Sequence, residues 1–190
     1  MLEEREIIRR CQCGQIRLMD VLIDRYQVAL YTLCRKLTRN AGDADDLFQD
    51  TWAAAMQKIG TFSAEGRFRP WLFAICVNRY RDDYRKRQRW YRRLRPWQSR
   101  EEEERIVERV PARNPGPDEQ LGRAEQRGAV RAAVQALDDR YRIPVLLHYG
   151  RGLSMDEIGE IMGIPAGTVK SRLAHARQEI GAHLERHGHA

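Results

Sequence analysis

An all-α fold of two small helical domains joined by a flexible linker, the C-terminal one a helix-turn-helix, is what this sequence predicts, and three observations predict it. Apolar residues return at steps of three or four along most of the chain, and no strand-like alternation is long enough to name. A stretch rich in glutamate, proline and glycine interrupts that pattern. Residues 153 to 180 then place a short helix, a glycine and a second helix in immediate succession. The expected units are 1–96, a linker over 97–122, and 123–190.

In the first unit, residues 3 to 13 read as a short helix with Ile7, Ile8 and Cys11 on one side, ended by Gly14. Leu18, Leu22, Tyr26, Leu30, Leu33 and Leu37 form the apolar stripe of a longer helix, with Asn40-Ala41-Gly42 as its stop. Asp43 is the expected N-cap of the next helix, with Asp45 and Asp46 in its first turn, where negative charge complements the helix dipole. Phe48, Trp52, Ala55, Met56 and Ile59 mark its buried side, which leaves Asp46, Gln49 and Asp50 on a polar face. Spacing alone makes that face a solvated surface. A loop from Thr61 to Arg69 follows, and Pro70 suits the first position of a helix carrying Trp71, Leu72, Ile75, Cys76 and Tyr80.

Beyond Asn78 the composition turns basic and aromatic. Arg79, Arg81, Arg85, Lys86, Arg87, Arg89, Arg92, Arg93 and Arg95 alternate with Tyr80, Tyr84, Trp90, Tyr91 and Trp97. Cations that track phosphates beside rings that stack on bases suit a single nucleic-acid strand; a solvated basic helix end is the plainer alternative. The linker carries Glu101 to Glu104, Pro111, Pro115, Gly116 and Pro117. Its acidic run reads as solvated charge that could also pair with the basic tract.

The second unit begins near Ala124, with Val130, Val134 and Leu137 on one face and a compact apolar helix from Tyr141 to Tyr149. Pro144 falls inside that helix, so either the helix bends or its first turn starts later. Arg151-Gly152-Leu153 is a turn. Ser154 and Glu157 then have capping-box spacing, Ile158, Ile161 and Met162 face inward, and Gly163 ends the helix. Ile164 plugs between two helices, Pro165 starts the second, and Val169 and Leu173 anchor it.

The 190 residues carry a net charge of +7, 32% charged residues and a pI near 9.5, which makes a polyanion the natural partner. No apolar run is long enough to span a bilayer and the opening MLEEREIIRR has no signal-peptide core, so a cytoplasmic protein without membrane insertion is expected. Cys11, Cys13, Cys34 and Cys76 show no disulfide framework and read as reduced thiols, two of them buried. Cys11 and Cys13 alone are too sparse for a structural zinc site. Neither metal nor cofactor is expected.

The outward residues of the last helix are Thr168, Lys170, Ser171, Arg172, His175 and Arg177. A short helix, a tight turn and a second helix with a polar, basic outer face is the arrangement that inserts into the major groove. There arginine and lysine donate to guanine O6 and N7. The stretch Gly152-Leu153-Ser154, Glu157-Ile158-Gly159, Gly163, Pro165, Gly167 to Leu173 and Ala176-Arg177 closely resembles the C-terminal region-four domain of extracytoplasmic-function (ECF) bacterial sigma factors. Two residues depart from the pattern, Gly159 where alanine is usual and His175 where an arginine is common. The resemblance implies that Thr168, Lys170, Ser171, Arg172, His175 and Arg177 read a −35 element.

The first unit independently resembles the same family's region two. Asp43 to Trp52 is similar to the helix whose polar face docks on the largest subunit of RNA polymerase, which implies docking roles for Asp46, Gln49 and Asp50 in place of a solvated surface. Phe68 to Arg79 is similar to the helix that, with the loop before it, reads a melted −10 strand. That implies Phe62, Ser63, Arg67, Arg69, Trp71, Asn78, Arg79, Asp82 and Arg85 as single-strand contacts. Core RNA polymerase, promoter DNA and an anti-sigma factor are the implied partners, and the chain itself is implied to be no enzyme.

Two other readings compete. An autonomous helix-turn-helix regulator explains residues 153 to 180 equally well but leaves the docking pattern and the basic-aromatic tract unexplained. A metal-dependent redox switch would use Cys11, Cys13, His183, His187 and His189, but no catalytic constellation or complete ligand set accompanies them.

Overall fold

The computed structural model describes residues 3–63, 66–94 and 118–187, with side chains for all of these except 87–94 and 118–125. The described residues form eight α-helices and no strand. The first unit comprises α1 (Glu4–Gln12), α2 (Met19–Leu37), α3 (Ala41–Lys58) and α4 (Phe68–Leu94), with short 3-10 turns at Ile16–Leu18 and Ile59–Thr61. The second comprises α5 (Asp118–Ala136), α6 (Asp139–Arg151), α7 (Met155–Met162) and α8 (Ala166–Arg186).

Packing follows the apolar stripes. Met19, Leu22, Leu30, Leu33, Cys34 and Leu37 bury one side of α2 against α3 and α4. Each such side chain contributes about 1.5–3 kcal/mol when fully removed from water. Gly14 takes a φ of 92° as the chain leaves α1, a conformation that a Cβ would disfavour.

The start of α3 differs from the sequence expectation. Asn40, not Asp43, is the N-cap: its side-chain oxygen accepts from the Asp43 amide at 2.8 Å, so Ala41 and Gly42 form the first turn rather than a stop. Asparagine and aspartate cap equally well, so composition could not choose between them. The buried face is Ala44, Leu47, Thr51, Trp52, Ala54 and Ala55, while Phe48 is half-buried and Met56 exposed. Thr51 lies in the core because its hydroxyl donates to the Leu47 carbonyl at 2.6 Å, which satisfies it without water. Three cysteines are buried, Cys11, Cys34 and Cys76, rather than two. The Sγ atoms of Cys34 and Cys76 lie 3.7 Å apart, and this contact together with burial pushes the Cys76 thiol well above its ordinary range.

In α4, Pro70 is the third residue rather than the first, still within the turn whose amides lack helical acceptors. In α6 the Asp138 side chain caps the Arg140 amide at 2.8 Å and the helix runs through Pro144. It ends at Gly152 (φ 65°), where the Gly152 and Leu153 amides close onto the carbonyls of His148 and Leu147 at 2.9 and 3.2 Å. The second unit starts earlier than expected, because α5 begins at Asp118 and the last residues assigned to the linker are helical. Residues 95–117, which include Arg95, Trp97 and the acidic run, lie outside the described residues, as does His189.

The two units pack against each other, α4 on α7 and α2 on α6, and share one apolar interior that runs from Leu37 and Val77 to Ile143 and Leu147. Arg142 seals this junction. Only 7% exposed, it donates to Asp139 Oδ1 (2.7 Å), Gln135 Oε1 (2.8 Å), the Leu37 carbonyl (3.2 Å) and the Tyr80 hydroxyl (2.5 Å). Burial, ahead of the nearby Asp139 carboxylate, raises the Tyr80 phenol well above its ordinary value, so it stays a neutral donor.

Candidate nucleic-acid interface

Three surfaces carry the residues expected to function. On α3, burial of Ala44, Leu47, Thr51 and Ala54 turns Asp46, Gln49 and Asp50 together into solvent. The neighbouring Asp45 accepts from the Tyr31 hydroxyl at 2.8 Å, which raises the Tyr31 phenol and ties the start of α3 to α2. The Tyr31 ring stands edge-on to Phe48 at 5.7 Å. A rigid helix therefore presents an acidic, amide-bearing strip with no apolar side chain among its three named residues.

The second surface is built on the loop before α4 and along that helix. Gln12 clamps the loop by donating to the carbonyls of Ile59 (3.1 Å) and Phe62 (2.7 Å). Phe62 is 7% exposed, its ring 5.0 Å from Trp71 and 5.9 Å from Phe68. Phe62, one of the residues expected at a separated strand, here packs its apolar area against the core and anchors the loop. Trp71 is half-buried in the same cluster, whereas Ser63 and Arg67 are exposed. Asn78, Asp82 and Arg85 are exposed at spacings of four and three, so they form one stripe along α4, and Arg79 is half-buried beside it.

Arg67 and Arg69 are occupied by the second unit. Arg67 pairs with Glu157 at 3.1 Å and Glu160 at 2.9 Å, both on α7. Arg69 lies over the Phe73 ring at 5.5 Å and donates to the Arg151 carbonyl. Burial, followed by the proximity of Arg69, lowers the Arg151 pKa, and among the described residues its Nε and Nη2 are buried without hydrogen-bond partners.

The third surface is the helix-turn-helix. The capping box is complete: the Glu157 amide donates to Ser154 Oγ at 3.2 Å and the Ser154 amide to Glu157 Oε2 at 2.8 Å. Gly163 has a φ of 66°, and the Ile164 amide returns to the Gly159 carbonyl at 3.0 Å. Gly159 is needed for this turn, because a Cβ there would lie 2.7 Å from the Ile164 carbonyl oxygen. Pro165 caps α8 and Ala166 is its first residue, so the helix starts one position later than expected.

On α8, Val169, Leu173 and Ala176 are buried, while Lys170, Ser171 and Arg177 face solvent and Thr168 and Arg172 are half-buried. His175 is exposed but engaged, with Nε2 2.9 Å from Glu179 and its ring 4.5 Å from Tyr141. Two features carry no local signal in the sequence. Burial, followed by the charges of Arg172 and Arg85, lowers the Arg81 pKa. Arg142 is the other, because an isolated arginine in an apolar helix gives no sign of its partners. Among the described residues no helix is long and apolar enough to cross a membrane.

Comparison with known proteins places both units. The family model for Sigma-70 region 2 matches residues 22–90, and that for Sigma-70 region 4 matches residues 127–180. The ECF RNA polymerase sigma factor SigE of Mycolicibacterium smegmatis is 32% identical, over 88% of this chain and 62% of its own length. The RNA polymerase sigma factor NccH of Alcaligenes xylosoxydans xylosoxydans is 30% identical, over 94% of this chain and 93% of its own. Among solved structures, CnrH in complex with the cytosolic domain of CnrY superposes with a TM-score of 0.69 at 26% identity, over 96% of this chain and 97% of CnrH. The sigma factor RpoE of Bartonella quintana, in complex with the anti-sigma factor NepR, gives 0.67 at 25% identity over 88% and 96%.

Proposed function

Because this chain belongs to the ECF family of RNA polymerase sigma factors, we propose that it recruits core RNA polymerase through Asp46, Gln49 and Asp50 and directs it to promoters with two DNA-reading surfaces. The observation that carries this reading is the exposure of an acidic strip on α3 and a basic, polar strip on α8, each held by the buried opposite face of its own helix. The α8 strip reads the −35 element as duplex, with Lys170 and Arg172 reaching base edges and Arg177, further along, placed for phosphate. Ser63, Arg67, Arg69 and the Asn78, Asp82, Arg85 stripe hold the −10 element as a separated strand. Trp71 supports that loop from the aromatic cluster.

Opening the duplex then needs no covalent chemistry on this chain. Unstacking a base costs a few kcal/mol, and capture of the extruded base offsets it. The chain acts as an initiation factor rather than an enzyme; catalysis belongs to the polymerase, and the cytoplasm is the site of action. Control by an anti-sigma factor is part of the proposal, supported by the complex of RpoE with the anti-sigma factor NepR.

Reconstitution with core polymerase on a promoter library tests the reading. Wild-type protein is expected to select a promoter subset and initiate from it. Asp46→Arg with Gln49→Ala should keep the fold, since both residues are exposed, yet weaken binding to core polymerase. Undiminished affinity for the polymerase overturns the docking assignment; specific duplex binding by the chain alone would favour an autonomous regulator.

A further inference from the structure

The C-terminal end of α8 carries two imidazoles that promoter reading does not use. His183 lies in the last turn of the helix and His187 is its C-cap, four residues on, so the two side chains are neighbours on one side of α8. Their rings lie nearly parallel, with centroids 4.3 Å apart. The Nδ1–H of His187 donates to the His183 carbonyl at 2.7 Å, which orients the ring and leaves Nε2 with the lone pair. A ring N–H held by a main-chain carbonyl is the usual outer support of a metal-bound histidine. Burial, then the neighbouring His187 and Arg186, lowers the His183 pKa, so this imidazole is neutral at pH 7 as well. Arg186, the nearby cation, turns its Nε to the Ala182 carbonyl at 3.1 Å. The free carbonyls of the last turn form the negative end of the helix dipole and favour a cation there.

We infer that His183 and His187 form a chelating site for a divalent late transition-metal ion, of the nickel and zinc class, bound through the two Nε2 atoms. His183 is half-buried and His187 exposed, so rotation of the side chains alone brings the stacked nitrogens onto one ion. Imidazole suits nickel, copper and zinc, whereas magnesium and calcium take oxygen ligands. Glu179, one turn before His183, is engaged by His175 Nε2 at 2.9 Å. Among the described residues no set of three ligating side chains gathers at one point, so water completes the shell and the ion exchanges readily. Both nitrogens come within reach of one ion only while the chain between them is helical. The folded chain therefore binds more tightly than the unfolded one, and the ion stabilises the end of α8. The pair lies roughly three turns beyond Arg172, so an ion held there leaves the residues expected at the −35 element uncovered.

The test uses the untagged full chain, kept reduced, and two readouts. The first is isothermal titration with Ni2+ or Zn2+, with Mg2+ as the control ion. Wild-type protein should bind one Ni2+ or Zn2+ per chain at about pH 7, bind no Mg2+, and lose the transition metal by about pH 5 as the imidazoles protonate. His183→Ala and His187→Ala should each weaken binding by at least the roughly 10- to 100-fold that loss of a mere outer partner costs. His189→Ala should bind as wild type does. Undiminished affinity in His183→Ala overturns the site, and so does a loss confined to His189→Ala, which would place the ion on the tail. The second readout is thermal unfolding. Saturating Ni2+ should raise the midpoint of the wild-type chain and of His189→Ala and leave that of His183→Ala unmoved. An equal rise in His183→Ala would show that the ion acts elsewhere on the chain, the thiols included, and would overturn the chelate.

Discussion

Arg142 Nη2 donates to the main-chain oxygen of Leu37 at 3.2 Å, across the boundary between the two helical units. The acceptor is the last residue of α2, a carbonyl with no helical partner at the negative end of the helix dipole. The same guanidinium satisfies Asp139, Gln135 and Tyr80. One cation therefore closes the polar edge of a junction that is otherwise apolar.

Replacing Arg142 with methionine keeps much of the volume but strands several acceptors. The loss of a fully buried pair costs roughly 3–5 kcal/mol. The Asp139 side chain is 29% exposed and can recover water, so about 2 kcal/mol is expected, read as a lower urea midpoint. Arg142→Lys should recover only part of it, because one ammonium cannot reproduce the planar fork. A midpoint unchanged in Arg142→Met would show that the network contributes nothing net.

Gly159→Ala is expected to destabilise the second unit by about 1–3 kcal/mol, the range for forcing an atom into a packed site. The added methyl would meet the Ile164 carbonyl at 2.7 Å, and the obstacle is backbone rather than a side chain that could swing away. Thermal unfolding measures the loss. Gly167→Ala is the control, since a Cβ there meets nothing within 4 Å and alanine favours a helix by up to about 1 kcal/mol.

On the recognition helix, base reading and phosphate attraction can be separated. Lys170→Ala or Arg172→Ala should cost about 1–3 kcal/mol on the preferred −35 sequence and relax selectivity at one position. Arg177→Ala should weaken all sequences alike and reduce the salt slope by about one. Reconstituted holoenzyme, −35 variants and several salt concentrations give both quantities. Uniform losses in all three mutants would make α8 a charged handle and place base reading elsewhere.

Much of this protein was legible in its sequence because the signals were local. The stripe from Leu22 to Leu37, the capping box of Ser154 and Glu157, and the inward pair Val169 and Leu173 each lie within a few turns of one helix, and helical periodicity alone sets which way they face. The same periodicity turned Asp46, Gln49 and Asp50 outward together. Where two residues could do one local task, composition did not decide, and Asn40 rather than Asp43 became the cap. Tertiary structure alone decided what happens between segments distant in the chain. Phe62 went into the aromatic cluster because Trp71 and Phe68 offered it a dry surface. Arg67 found Glu160 across 93 positions of sequence, and Arg142 found Leu37 across 105. Exposed charges have no periodicity that names their partners, since an ion pair is fixed by where the helices come to rest.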